Sequence, residues 1–178
     1  HVPHHFNLTK TYDFTGKCLT PGIVDSHTHV VFAGDRSKEY QMRLDGESYE
    51  RIAAAGGGIL STVKATQSAS FEELYQLSFN RIENIINLGI QTLEIKSGYG
   101  LNYEAELKIT NVIDKLKKDF QNKITIKNTY LAAHAVPDGF TSSSDYLNTI
   151  VIPLLNEVKD KIDFVDIFHE QGYFDSKD

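Results

Sequence analysis

The sequence predicts an α/β fold built on a parallel sheet. Three observations carry that expectation. Short apolar runs of strand character recur along the chain, separated by segments of helical periodicity. Strands separated by helices pair in parallel, because parallel neighbours need a crossover. And 178 residues, 40% apolar and 24% charged, form a chain of ordinary globular composition that can bury a core.

Taken in order, His1 to Lys17 shows short alternation ending in a Thr15-Gly16 turn, the pattern of strand–turn–strand edges. Gly22 to Asp25 leads into His27 to Phe32, which reads as the first strand of the sheet. Ser48 to Ala55 and Leu60 to Thr66 read as short helices around the Gly56-Gly57-Gly58 break. Phe71 to Leu88 is a longer amphipathic helix, with Leu74, Leu77, Ile82, Ile85 and Ile86 on one face. Ser70 suits its N-cap and Gly89 its C-terminal stop. Thr92 to Ile95 is the next strand. Tyr103 to Asp119 is a helix with Leu107, Val112, Ile113 and Leu116 inward. Ile124 to Leu131 is a strand, and Tyr146 to Val158 a helix that Pro153 either bends or starts anew. Phe164 to Phe168 is the last strand.

Charge and composition exclude several classes. Eighteen basic against 24 acidic residues leave a net charge of −6, which argues against a general nucleic-acid binder. No window approaches the ~18 consecutive apolar residues of a membrane span. No basic segment followed by an apolar stretch marks a secretory leader at the start. The single cysteine, Cys18, cannot form an internal disulfide, which fits a reducing, cytoplasmic setting.

Chemistry concentrates at the ends of the strands, where parallel α/β folds place their sites. In Asp25-Ser26-His27-Thr28-His29, strand alternation puts His27 and His29 on one face with Cα atoms roughly 6.6 Å apart. Two imidazoles at that spacing can converge on a metal such as Zn2+ or Fe2+, the reading favoured here over two packed strand histidines. Arg36, in the following loop, suits a carboxylate, although most single loop arginines are simply solvated. Lys96-Ser97-Gly98-Tyr99-Gly100 forms a tight loop presenting Tyr99 after the second strand; Lys96 reads as structural or charge-pairing. Ala133-His134-Ala135 follows the third strand and leaves room around His134 for a ligand. His169 and Glu170 close the fourth and rank below His134. The Gly56–Gly58 run lacks the Lys-Ser/Thr of a phosphate loop.

Several of these motifs, in order, resemble the imidazolonepropionases of the amidohydrolase superfamily. They are Pro21-Gly22-Ile23-Val24-Asp25-Ser26-His27-Thr28-His29, continuing to Arg36; Ile52 through Gly56-Gly57-Gly58 to Val63; Glu94 through Tyr99 to Leu101; Ala133 to Pro137; and Asp166 to Phe168. The resemblance runs from about Gly16 onward. It implies a metal-dependent (β/α)8 barrel and the hydrolysis of 4-imidazolone-5-propanoate to N-formimino-L-glutamate in histidine degradation. It also implies one Zn2+ or Fe ion on His27 and His29, with Arg36, Tyr99 and His134 holding the carboxylated substrate. A homodimer is the assembly it suggests.

Two departures qualify the match. His169 stands where the family has a cysteine. The family's other metal ligands and its catalytic histidine and glutamate lie on later strands that no segment here matches, so the catalytic residues are expected beyond Asp178. A full barrel takes ~250 residues. The expectation is therefore residues 1–20 as the end of a small β domain and residues 21–178 as the first half of a barrel, inactive alone. The alternatives are another cyclic amidase or aminohydrolase of the superfamily, and a non-catalytic half-barrel completed by a partner chain.

Overall fold

The computed structural model describes residues 10–48, 51–52, 57–170 and 173–176. Its elements are β1 (Ile23–Thr28), α1 (Ser37–Leu44), α2 (Ile59–Ser68), α3 (Phe71–Asn87), β2 (Ile90–Lys96), α4 (Tyr103–Asp119) and β3 (Thr125–Ala133). A bent helical segment follows, comprising α5 (Ser143–Tyr146), a π-helical turn (Leu147–Val151) and α6 (Ile152–Val158). β4 (Phe164–Ile167) completes the sheet. The four strands lie in sequence order, β1-β2-β3-β4, and every pair is parallel. The expected α/β fold is thus present as a partial α/β barrel. Among the described residues no helix is long and apolar enough to cross a membrane.

Register brings the strand ends level. Thr28 pairs with Ile95, Lys96 with Thr129, and Ala133 with Ile167. The loops leaving β1, β2 and β3 therefore start side by side, and these are the loops that carry His29, Tyr99 and His134.

The sheet sorts its side chains by alternation. Leu93 and Ile95 of β2 and Ile126 of β3 are buried against Leu74 and Ile82 of α3 and Ile109, Val112, Ile113 and Leu116 of α4. Each such side chain contributes roughly 1.5–3 kcal/mol by leaving water. Tyr130 and Ala132 face a second cluster made by Tyr146, Leu147, Val151, Leu154 and Val158. On the other face of the sheet, Lys96 Nζ donates to Glu94 Oε1 (2.8 Å) and to Asp166 Oδ2 (2.9 Å), while Thr129 Oγ1 donates to Glu94 (2.6 Å). This polar lattice ties β2, β3 and β4 together and makes Lys96 the charge-pairing lysine that its sequence context suggests.

The long helices follow their sequence signals. Ser70 and Asn102 cap α3 and α4 by accepting the N–H of Glu73 and Ala105. Pro153 sits in the first turn of α6, directly after the π turn. Lacking an N–H, it cannot return a bond to the preceding turn, which accounts for the widening there.

Three sequence readings need correction. β1 ends at Thr28 rather than Phe32, because residues 30–32 turn onto α3: Arg81 Nη1 donates to the carbonyls of Val30 (2.9 Å) and Phe32 (2.6 Å). Helix α1 was not anticipated; its residues are mostly polar and none is buried, so it carries no continuous apolar stripe to read. Thr15-Gly16 does form a turn, with Lys17 N–H donating to Phe14 O, but residues 10–14 are not in strand. The preceding residues 1–9, and most of the helix expected over 48–55, lie outside the described residues.

Candidate active site

The site is a cluster of rings at the level strand ends. The His29 ring packs against those of Tyr99 (centroids 4.6 Å apart, planes 27° apart) and His134 (5.0 Å, 11°), which are themselves 5.7 Å apart, so the three form a triangle. His27, exposed on β1, approaches the His29 edge at 6.2 Å. Phe168 closes on His134 edge-on at 5.9 Å. Four strand ends thus contribute to one aromatic array.

Burial shapes the electrostatics. Desolvation, with His134, His27 and Lys96 as like-charged neighbours, pushes the His29 pKa down to about 4. The ring is therefore neutral at pH 7, the form in which imidazole is a ligand. Its Nδ1 is buried with no hydrogen-bond partner, which is costly unless something else occupies it. Burial also lowers the His134 pKa and raises that of Tyr99. The His134 Nδ1 lies 3.1 Å from Gly98 O. A carbonyl can only accept, so Nδ1 carries the proton, and in the neutral ring Nε2 is left as an acceptor.

Arg36 opens the third side. A cavity of about 360 Å³ is lined by His29, Phe32, Arg36, Thr62, Arg81 and Tyr99, among others. Arg36 is presented by Glu39, whose Oε2 accepts from Nε (2.7 Å) and Nη2 (2.6 Å). Glu39 in turn accepts the Gly58 N–H. The glycine run thus serves the arginine of the site through Glu39. Gly34, at φ +78°, has no room for a side chain: a Cβ would lie 2.9 Å from Ala65 Cβ.

All five predicted site residues fall in this region. His29, Tyr99 and Arg36 share the cavity, His134 stacks behind His29, and His27 sits at the edge. His169 is engaged through its main chain, pairing with Phe174, and it is Phe168 that reaches the cluster. Among the described residues no group of three His, Cys, Asp or Glu gathers as a metal cage. His27 and His29 could thus supply only part of a coordination shell.

Sequence reasoning missed Arg81 and Glu106. Arg81 lies over the Phe32 ring at 3.7 Å besides holding the two carbonyls. The carboxylate of Glu106, fully buried on α4, accepts the N–H groups of Gly98 (3.1 Å), Gly100 (2.6 Å) and Leu101 (3.0 Å). Burial pushes its pKa up while these donors pull it down. Both lie among the core-facing positions of their helices, Arg81 beside Ser78 and Ile82 and Glu106 beside Ala105 and Ile109, where a single charged residue breaks no apolar pattern.

No family model matches the chain. Individual relatives do. The chain is 44% identical over 172 residues to an imidazolonepropionase of Christiangramia forsetii, covering 95% of this chain and 41% of that protein. It is 46% identical over 169 residues to one of Shewanella loihica, with 93% and 41% covered. To one of Clostridium tetani it is 42% identical over 173 residues, with 96% and 40% covered. The chain is thus a homologue of the imidazolonepropionases and spans about two-fifths of the length of the curated relatives that it matches.

Proposed function

We propose that this chain is the N-terminal part of an imidazolonepropionase, forming the first half of a (β/α)8 barrel of the amidohydrolase type, preceded over residues 1–20 by the end of a small β domain. The observation that carries the proposal is the cluster of the His29, Tyr99 and His134 rings beside a cavity walled by Arg36. The substrate proposed for the whole protein is 4-imidazolone-5-propanoate, a planar ring with a carboxylate tail. Each part has a counterpart here. Tyr99 offers a ring face and a hydroxyl, neutral His134 offers Nε2 to a ring N–H, and Arg36 offers a planar cation to the carboxylate. The product is N-formimino-L-glutamate, formed by opening the cyclic amide.

His27 and His29 would hold one Zn2+ or Fe ion, a role that suits the neutral His29 ring and its unpartnered buried Nδ1. Such an ion supplies Lewis-acid polarisation of the ring carbonyl and a water of lowered pKa. The remaining ligands and the catalytic acid and base belong to the part of the relatives' length that this chain does not span. In this account the present residues bind and orient substrate, and the chain alone does not turn over. The whole protein is proposed to be cytoplasmic, with a homodimer as its assembly; no nucleic acid or membrane enters the reading.

The test is a nuclear magnetic resonance titration of the chain with imidazole-4-propanoate, a stable ring with the same tail. Arg36→Ala should weaken binding about tenfold, the worth of a charge-assisted pair. The neutral analogue 4-ethylimidazole should be indifferent to the change. Equal loss for both ligands, or none for the carboxylate, removes Arg36 from the proposed role.

A further inference from the structure

The loop that presents Tyr99 has an unusual template. Gly98 is at φ +110°, and Leu101 at φ 51° is the one non-glycine residue with positive φ among the described residues. Such a path is not a local preference of the chain and must be imposed. Its main-chain N–H groups at 98, 100 and 101 all point to one acceptor, Glu106. Two of these donors flank Tyr99 directly. The residue giving the first, Gly98, also offers its carbonyl to His134 Nδ1. One carboxylate therefore governs both rings that pack against His29.

A buried carboxylate is an expensive staple. Its partners are main-chain N–H groups and the Ser97 side chain rather than a cation. Taking it out of water is offset only when its lone pairs are filled, and a loop without such a template would leave its donors to solvent. The neighbouring contacts are equally tight. Ser97 Oγ accepts the Leu131 N–H (3.0 Å), and a Cβ at position 98 would lie 2.7 Å from Leu131 O and 2.9 Å from His134 Cβ. Movement of the loop would be transmitted directly to His134.

We propose that Glu106 is the positioning residue of the substrate site: its buried carboxylate shapes the 97–101 loop and thereby sets Tyr99 and His134 against His29. It touches neither substrate nor metal. The proposal rests on the reading of this site as a substrate-binding one, and its test has an arm independent of that reading.

The test is Glu106→Gln in the chain. The amide keeps the shape and one acceptor but turns an NH2 toward a main-chain N–H. In the ligand-free chain, the nuclear Overhauser contact between the Tyr99 and His29 rings should fall at least about threefold, and His134 should lose its single Nδ1–H tautomer. The Phe79–Phe120 contact in the main core (4.6 Å between centroids) should remain. Unchanged Tyr99–His29 and His134 signals overturn the proposal whether or not any ligand binds. Affinity for imidazole-4-propanoate should fall about tenfold. Asp163→Asn, which alters a carboxylate at the opposite end of the sheet, should leave it within about twofold. Equal losses for the two variants would mark Glu106 as merely structural and overturn the proposal. Failure of the unsubstituted chain to bind the analogue counts against the substrate reading, and the ring contacts still decide the role of Glu106. Should Glu106→Gln not fold, Glu106→Asp, which withdraws the carboxylate by one methylene, is expected to give the same loss of ring contact; its retention is equally contrary.

Discussion

Asp163 shows how single residues hold this sheet. It precedes β4 and accepts from Lys117 Nζ (2.6 Å), Lys127 Nζ (3.1 Å) and the Asn128 N–H (2.9 Å). Burial alone would raise its pKa, but the Asn128 N–H and the two ammonium groups outweigh it and hold it below the usual 3.8. A carboxylate depressed in the folded state stabilises the fold fully above its unfolded pKa. That stability is lost as pH falls through 3.8 toward the lower folded value. Asp163→Asn should therefore flatten the acid limb of the melting-temperature profile below about pH 4, while lowering stability at pH 7 by about 1–3 kcal/mol. Parallel acid limbs in the two proteins would contradict this. At the same scale, the histidines, Arg36 and Tyr99 were legible in the sequence, because each lies in a short run at a strand end. Glu106 and Arg81 were not, because their partners are main-chain atoms, in the adjoining loop for Glu106 and in a remote one for Arg81, and no side-chain pattern records a carbonyl or an N–H.

Among the elements, strands β2 and β3 and helices α3 and α4 were readable from period and caps. Their buried faces are continuous, and Ser70 and Gly89 punctuate them. The early end of β1 was hidden because Val30 and Val31 are buried in either arrangement. What decides between a longer strand and a turn is Arg81, which satisfies the Val30 and Phe32 carbonyls once they leave the ladder. Ala33 N–H is held in turn by Thr66 Oγ1 of α2 at 3.1 Å. The segment between His29 and Arg36 is thus pinned from two helices. Arg81→Gln should orphan at least one carbonyl and cost about 1–3 kcal/mol. Amide hydrogen exchange in residues 30–36 should accelerate more than in α4. Uniform acceleration across the chain would instead mean that Arg81 supports only global stability.

Across the whole molecule, the sheet has two open sides. Ile23 and Val24 of β1 are 54% and 62% exposed, and Phe164, Val165 and Ile167 of β4 are 53%, 58% and 43% exposed. Apolar strand residues left uncovered on both flanks are what a partial α/β barrel exposes. The parallel order was readable in the alternation of strands and helices. That the barrel is partial was readable only from the motifs taken with the length, since composition and length alone describe an ordinary domain. The proposal that this chain is the substrate-holding part of an imidazolonepropionase is tested most directly by joining it to the complementary C-terminal three-fifths of the Shewanella loihica relative. The account predicts that the fusion, loaded with Zn2+ or Fe2+, releases N-formimino-L-glutamate from 4-imidazolone-5-propanoate. The chain alone should give none, and His27→Ala in the fusion should abolish the release. Turnover by the chain alone, or a folded, metal-loaded fusion that leaves the substrate intact, would contradict it.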